Sequence, residues 1–165
     1  MKPLKFMLAL LLLVSFSSCE EKDAAIPEIK TNELNNSFVF GEYFGFCPLE
    51  SDCATVYKIQ DNKLLADNIK RVGDNSSLIT FHPEPLPAAK YEVAKKLVNK
   101  LPAELLTSNQ EVYGAPDAYD QGGLVLEFVY NGQVKRIFLE RDEKNLPANV
   151  AAFAKEVKAV VAQIK

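Results

Sequence analysis

The amino-acid sequence predicts an α+β domain, a mostly antiparallel sheet with two amphipathic helices packed on one face. Three observations predict it. Apolar residues alternate in runs such as SFVFGEYFGF, CATVYKIQ and GLVLEFVY, which is the period of a strand with one buried face. Two longer runs, AAKYEVAKKLVNKL and LPANVAAFAKEVKAVVAQIK, repeat their apolar residues at helical spacing. Finally, Asn131-Gly132 sits between two alternating runs, the favoured pair for a two-residue hairpin turn because both positions need positive φ.

The first 18 residues are set apart from the fold. Lys2 and Lys5 precede the apolar run Phe6 to Val14, and Ser15, Ser17 and Ser18 lead to Cys19, the layout of a secretory signal. A small-residue box that ends in cysteine and is followed by CEEKD resembles the signal of bacterial lipoproteins of the bacteroidete type. That resemblance implies that Cys19 becomes the acylated first residue of a cell-envelope protein. Phe16 stands where the family usually has Leu, and Ser18 where Ala or Gly is commoner. An ordinary cleaved signal that ends in cysteine is the alternative. Stable anchoring needs more than one acyl chain, which a lipoprotein cysteine would carry.

Without Lys2 and Lys5 the basic count falls from 19 to 17 against 22 acids, so the net charge moves from -3 to -5. A mildly acidic chain without a basic run argues against a nucleic-acid partner. Residues 19–36 are polar, hold a proline and keep no apolar period, so they read as a flexible tether spanning roughly 20–25 Å. Residues 37–165 then form one ordinary domain.

Within it, Phe38, Phe40, Phe44 and Phe46 share one parity and predict the first strand, with Gly41 and Gly45 marking a bulge or a close backbone approach. CATVYKIQ is the second strand, Asp61 to Lys63 a turn, LLADNIKR the third and LITF a short further one. The first helix places Tyr91, Ala94, Leu97, Val98 and Leu101 on one stripe, bounded by Pro87 and Pro102. In the hairpin, the turn sets Val129 opposite Val134, Glu127 opposite Arg136 and Val125 opposite Phe138. The other side pairs Leu124 with Leu139, Leu126 with Ile137 and Phe128 with Lys135, and is the more apolar. That side should meet the core and leave the Glu127–Arg136 side more exposed. The last helix carries Val150, Phe153, Val157, Val160, Val161 and Ile164 on one face.

Chemistry narrows quickly. Cys47 and Cys53, with five residues between them in FGFCPLESDC, form an isolated close pair that in an exported protein predicts a disulfide. Such a staple would contribute ~2 kcal/mol in the chain-entropy model. A redox pair is the alternative, although its motif normally has two intervening residues at a helix start, and the anions Glu50 and Asp52 would raise a thiol pKa. With Cys19 acylated, His82 is the one further soft ligand, too few for a structural zinc site, and no metal or cofactor is expected. His82 follows an apolar run and precedes Pro83, the position of a strand-end histidine. No G-x-S-x-G, P-loop, Rossmann or H-E-x-x-H pattern occurs.

The connection VYGAPDAYDQGG is long enough to act as a contact loop, with Tyr113, Asp117, Tyr119 and Asp120 as candidate partner-binding residues, joined by Glu50 and Asp52. It also fits a Gly/Pro/Asp turn leading into the hairpin, and lacks the alternating acids of a calcium loop. From the first helix onward, the helix, the loop YGAPDAYDQG, the hairpin LEFVYNGQVKRIFLE and the helix LPANVAAFAKEV resemble the emfourin-type inhibitors of thermolysin-like metalloproteases. FCPLESDCATVYKI with these elements is also similar to small uncharacterised lipoprotein domains. The first resemblance implies an inhibitor of envelope or surface proteases. The expected function is a non-catalytic envelope binding module, with the inhibitor and a thiol-disulfide redox protein using Cys47 and Cys53 as alternatives.

Overall fold

In the computed structural model, residues 37–48, 52–72 and 78–165 are described. Cys19, the signal and the tether lie outside them, as does Glu50. A six-stranded sheet is built from β1 (Phe38–Tyr43), β2 (Ala54–Gln60), β3 (Lys63–Ala66), β4 (Val112–Tyr113), β5 (Gly123–Tyr130) and β6 (Gln133–Glu140) in the order β3-β2-β1-β5-β6-β4; it carries helices on one face, and the α+β architecture predicted from the sequence is observed. All pairings are antiparallel except β4 with β6.

β1 (Phe38–Tyr43) lies between β2 (Ala54–Gln60) and β5 (Gly123–Tyr130), which explains its apolar density. Phe38 and Phe40 face the helices while Val39 and Tyr43 face the other way, and all four are buried. Gly41 is required by close approach, because a Cβ there would land on the Thr55 carbonyl. β1 ends at Tyr43. Phe44 and Phe46, placed by parity on the buried stripe, have left the sheet, and Phe46 is 72% exposed.

β2 turns into β3 (Lys63–Ala66) through Asp61 and Asn62, both at positive φ. β3 is shorter than LLADNIKR suggested. The Asp67 carboxylate accepts hydrogen bonds from Val56 N at 2.6 Å and Ile69 N at 3.2 Å, which diverts the chain from the ladder. The LITF segment forms no strand; only Phe81 bridges, to Asp67. Instead Ile69, Val72, Ile79 and Phe81 pack over Val39, Val56, Val125 and Phe138. The second sheet face is thus partly covered by irregular chain, and Val125 and Phe138, expected on the more exposed side of the hairpin, are buried there. The outer edge of β3 is closed by Leu86 N donating to Leu64 O and His82 N to Ala66 O.

The first helical run begins as α1 (Ala88–Ala94) and tightens into a 3-10 segment (Lys95–Lys100). Ala94, Leu97, Val98 and Leu101 are buried as the stripe predicted. Two short elements with no periodic signature follow, α2 (Ala103–Thr107) and β4 (Val112–Tyr113). The hairpin β5–β6 (Gln133–Glu140) has the predicted register at every pair, and Glu127 meets Arg136 at 2.6 Å. α3 (Ala148–Ile164) buries its whole predicted face plus Ala154. Phe38, Phe40, Leu126, Phe128 and Phe153 meet in the main core, each buried side chain stabilising by about 1.5–3 kcal/mol. Among the described residues no helix is long and apolar enough to cross a membrane.

Candidate functional site

The pairs Tyr43–Ala54, Tyr43–Gly123 and Gly123–Glu140 place the ends of four strands side by side. Beyond them, the cysteine segment, the Gly114–Gly122 loop and Arg141 form a rim at one end of the sheet. Cys47 and Cys53 are paired as a disulfide with their Cα atoms 5.8 Å apart. Phe44 N donates to Cys53 O at 2.8 Å, which extends the β1–β2 ladder up to the staple.

Asp117 joins the two loops. Its Oδ1 accepts from Gly45 N at 3.0 Å and from Gly122 N at 2.9 Å, and its own N–H donates to Gly122 O at 3.0 Å. A Cβ on Gly45 would fall on that carboxylate, so glycine is needed for the approach. Asp117, Asp120 and Gly122 adopt positive φ, which aspartate tolerates better than most residues and glycine freely.

The base of the loop is held from below. Glu140, 5% exposed, accepts from Ala115 N at 2.8 Å and from Asn145 Nδ2 at 2.6 Å. On the cysteine side, Arg71 donates to Gly45 O at 3.0 Å and to Cys47 O at 3.4 Å, and the Arg141 guanidinium lies 4.7 Å from the Phe44 ring centroid and 3.6 Å from Glu42. Beneath these contacts, burial and then the charge of Asp117 push the Tyr43 phenol up to about 12.

Of the expected contact residues, Tyr119 is 87% exposed, and Asp120 and Asp52 are also at the surface. Asp117 lies in the same loop but is engaged in holding it. Tyr113, expected as a contact residue, is instead 1% exposed, belongs to the main core, and its hydroxyl has no partner. Its position in β4, parallel to β6, turns its side chain under the sheet. Phe46, Arg71 and Arg141 are site residues that the sequence does not mark as such. Phe46 was hidden by its strand parity, and the arginines carry no local signal.

A second concavity, a cleft of about 380 Å³, is lined by Asp52, Tyr57, Asp67, Lys70 and His82 among others. Burial pushes the Asp67 carboxyl up, the amides of Val56 and Ile69 pull it down, and the charge of Asp52 raises it again. Burial and the charge of Asp67 push Tyr57 up. Both Asp67 oxygens are already held by backbone amides, so this carboxylate shapes the β2–β3 margin. Among the described residues no group of three or more His, Cys, Asp or Glu is placed to hold a metal ion. No known family model matches the chain, and no curated protein matches it at a significant level.

Proposed function

We propose that the protein is a lipid-anchored binding module of the cell envelope, and that the rim is its working surface. The observation that carries this reading is Phe46 and Tyr119, two large aromatic residues held out into solvent on backbone tied by a disulfide and by Asp117. Exposed aromatic residues on a fixed backbone cost little ordering on association and dominate contact energies. Asp120 next to Tyr119, on a chain of net charge -5 from Cys19 onward, favours a protein partner whose apolar pocket is flanked by cationic side chains. Acylation of Cys19 and a polar tether from 19 to 36 would hold this surface clear of the lipid headgroups.

A photo-crosslinking residue placed at Phe46 or Tyr119 in the native envelope should capture a partner. The same residue at Val134, exposed beside the hairpin turn at the other end of the sheet, should not. Equal capture at all three positions refutes the assignment of the rim. Cys19→Ser should abolish fatty-acid labelling and move the protein to the soluble fraction; unchanged membrane association sinks the anchor.

Protease inhibition is the narrower form of the same proposal, in which the loop held by Asp117 presents the exposed Tyr119 to a protease. It predicts a stoichiometric complex with a thermolysin-like protease that is weakened by changes in Asp117 to Asp120. The thiol-redox alternative has less support: Cys47 lies in a loop and Cys53 directly precedes β2, so neither has the helix N-terminus that lowers a thiol pKa.

A further inference from the structure

The rim is held to the sheet differently on its two sides. Cys53 is 1% exposed, donates its N–H to Lys70 O at 2.8 Å and accepts from Phe44 N at 2.8 Å, so it is part of the ladder. Cys47 is only half-buried and leads into exposed Pro48. Neither Cys47 nor Phe44 nor Phe46 belongs to either apolar cluster, so releasing this stretch uncovers no core. Besides the disulfide, its attachments include the exposed hydrogen bonds from Gly45 N to Asp117 and from Arg71 to the Gly45 and Cys47 carbonyls. Each such bond shifts an open–closed equilibrium by roughly fivefold. Closing the short Cys47–Cys53 ring shifts it by about thirtyfold more in the chain-entropy model.

We propose that the Cys47–Cys53 disulfide is a redox latch for the rim: reducing it frees the Gly45–Pro48 stretch from the Asp117 loop while the sheet and helices, with Phe44 still paired to Cys53, stay folded. This rests on the reading of the rim as the binding surface and adds its regulation. The reductant is a dithiol. One of its thiolates attacks the sulfur of Cys47, the more accessible of the pair, and the Cys53 thiolate leaves. The second thiolate then attacks the mixed disulfide and releases the Cys47 thiolate. The protein disulfide is broken, a disulfide forms in the reductant, and two electrons and two protons have moved to the protein as two thiols. Opening at this place is a local event of the kind that leaves the most protected strands untouched.

Amide hydrogen exchange on the full chain, with and without dithiothreitol, tests the latch itself. The Gly45 amide, which donates across to the Asp117 carboxylate, should lose about thirtyfold in protection on reduction. Leu126 and Ile137, paired in the hairpin, should stay within about twofold. Cys47→Ser should reproduce the reduced pattern without reductant. Unchanged protection at Gly45, or loss throughout the sheet, overturns the proposal. Crosslinking from Tyr119 separates this failure from that of the rim. Capture that disappears on reduction supports the latch, and capture that persists despite local loosening overturns it while leaving the rim in place. If the oxidised protein captures nothing, the rim itself is refuted, and with it any gating of a partner.

Discussion

The two ends of the sheet are built by opposite means. At the hairpin end the chain reverses over Asn131 and Gly132, both at positive φ, and the contacts that fix the register are between near neighbours in sequence. At the cysteine end, Gly45 and Asp117 meet across 72 residues, Arg71 reaches back 26 residues to Gly45, and a disulfide closes the segment. A local turn needs only its own two residues. An end assembled from distant segments can hold side chains such as Phe46 and Tyr119 in fixed positions outside the core, which is what a contact surface requires.

Breaking the cysteine end should cost the most. Asp117→Ala removes an acceptor shared by two amides and places alanine at φ near 60°, and it should destabilise the protein by about 3 kcal/mol in urea denaturation. A loss no larger than that of a turn variant would mean that the carboxylate does not hold the two loops together.

Alkaline pH should loosen the same end. The folded pKa of Tyr43 lies above its unfolded value of 10.0, so its stabilising contribution is complete below pH 10 and is lost as the pH rises through about 12. The loss amounts to about 2 kcal/mol, and Tyr43→Phe should flatten that limb of a stability–pH curve. A curve that falls equally in both proteins assigns the limb to other groups.

Asn131→Ala, at the hairpin end, should cost about 1 kcal/mol, the penalty of a left-handed backbone without a favourable side chain. Its effect on exchange should stay near the turn, in contrast to Asp117→Ala. Smallest is Tyr113→Phe. The hydroxyl is buried without a partner, so removing it should leave stability unchanged or raise it by up to about 1 kcal/mol. A clear loss would reveal a hydrogen bond to that oxygen.

This contrast also explains what could be read from the amino acids. The hairpin register was legible pair by pair because turn chemistry and period-two alternation agree over short separations. The buried stripes of α1 and α3 were legible for the same reason. The pairing of Cys47 with Cys53 could be proposed from composition and spacing. Phe44 and Phe46 were assigned to the strand because parity continues past the point where the ladder gives way to the Asp117 contact. The cover of the second sheet face by Ile69, Val72, Ile79 and Phe81 has no period at all, and was read partly as strand. No local pattern marks Tyr113 as buried, because β4 is two residues long and takes its burial from β6. Arg71 and Arg141 act through contacts that no window of sequence contains.

The most direct test of the central claim uses the partner captured by crosslinking, purified and titrated calorimetrically against wild type, Phe46→Ser/Tyr119→Ser and Val134→Ser. Affinity should weaken by about a hundredfold or more in the double variant, with its melting temperature unchanged because neither side chain is in the core. Val134→Ser should bind as wild type does. Equal affinity for all three proteins would contradict the assignment of the stapled rim as the binding surface.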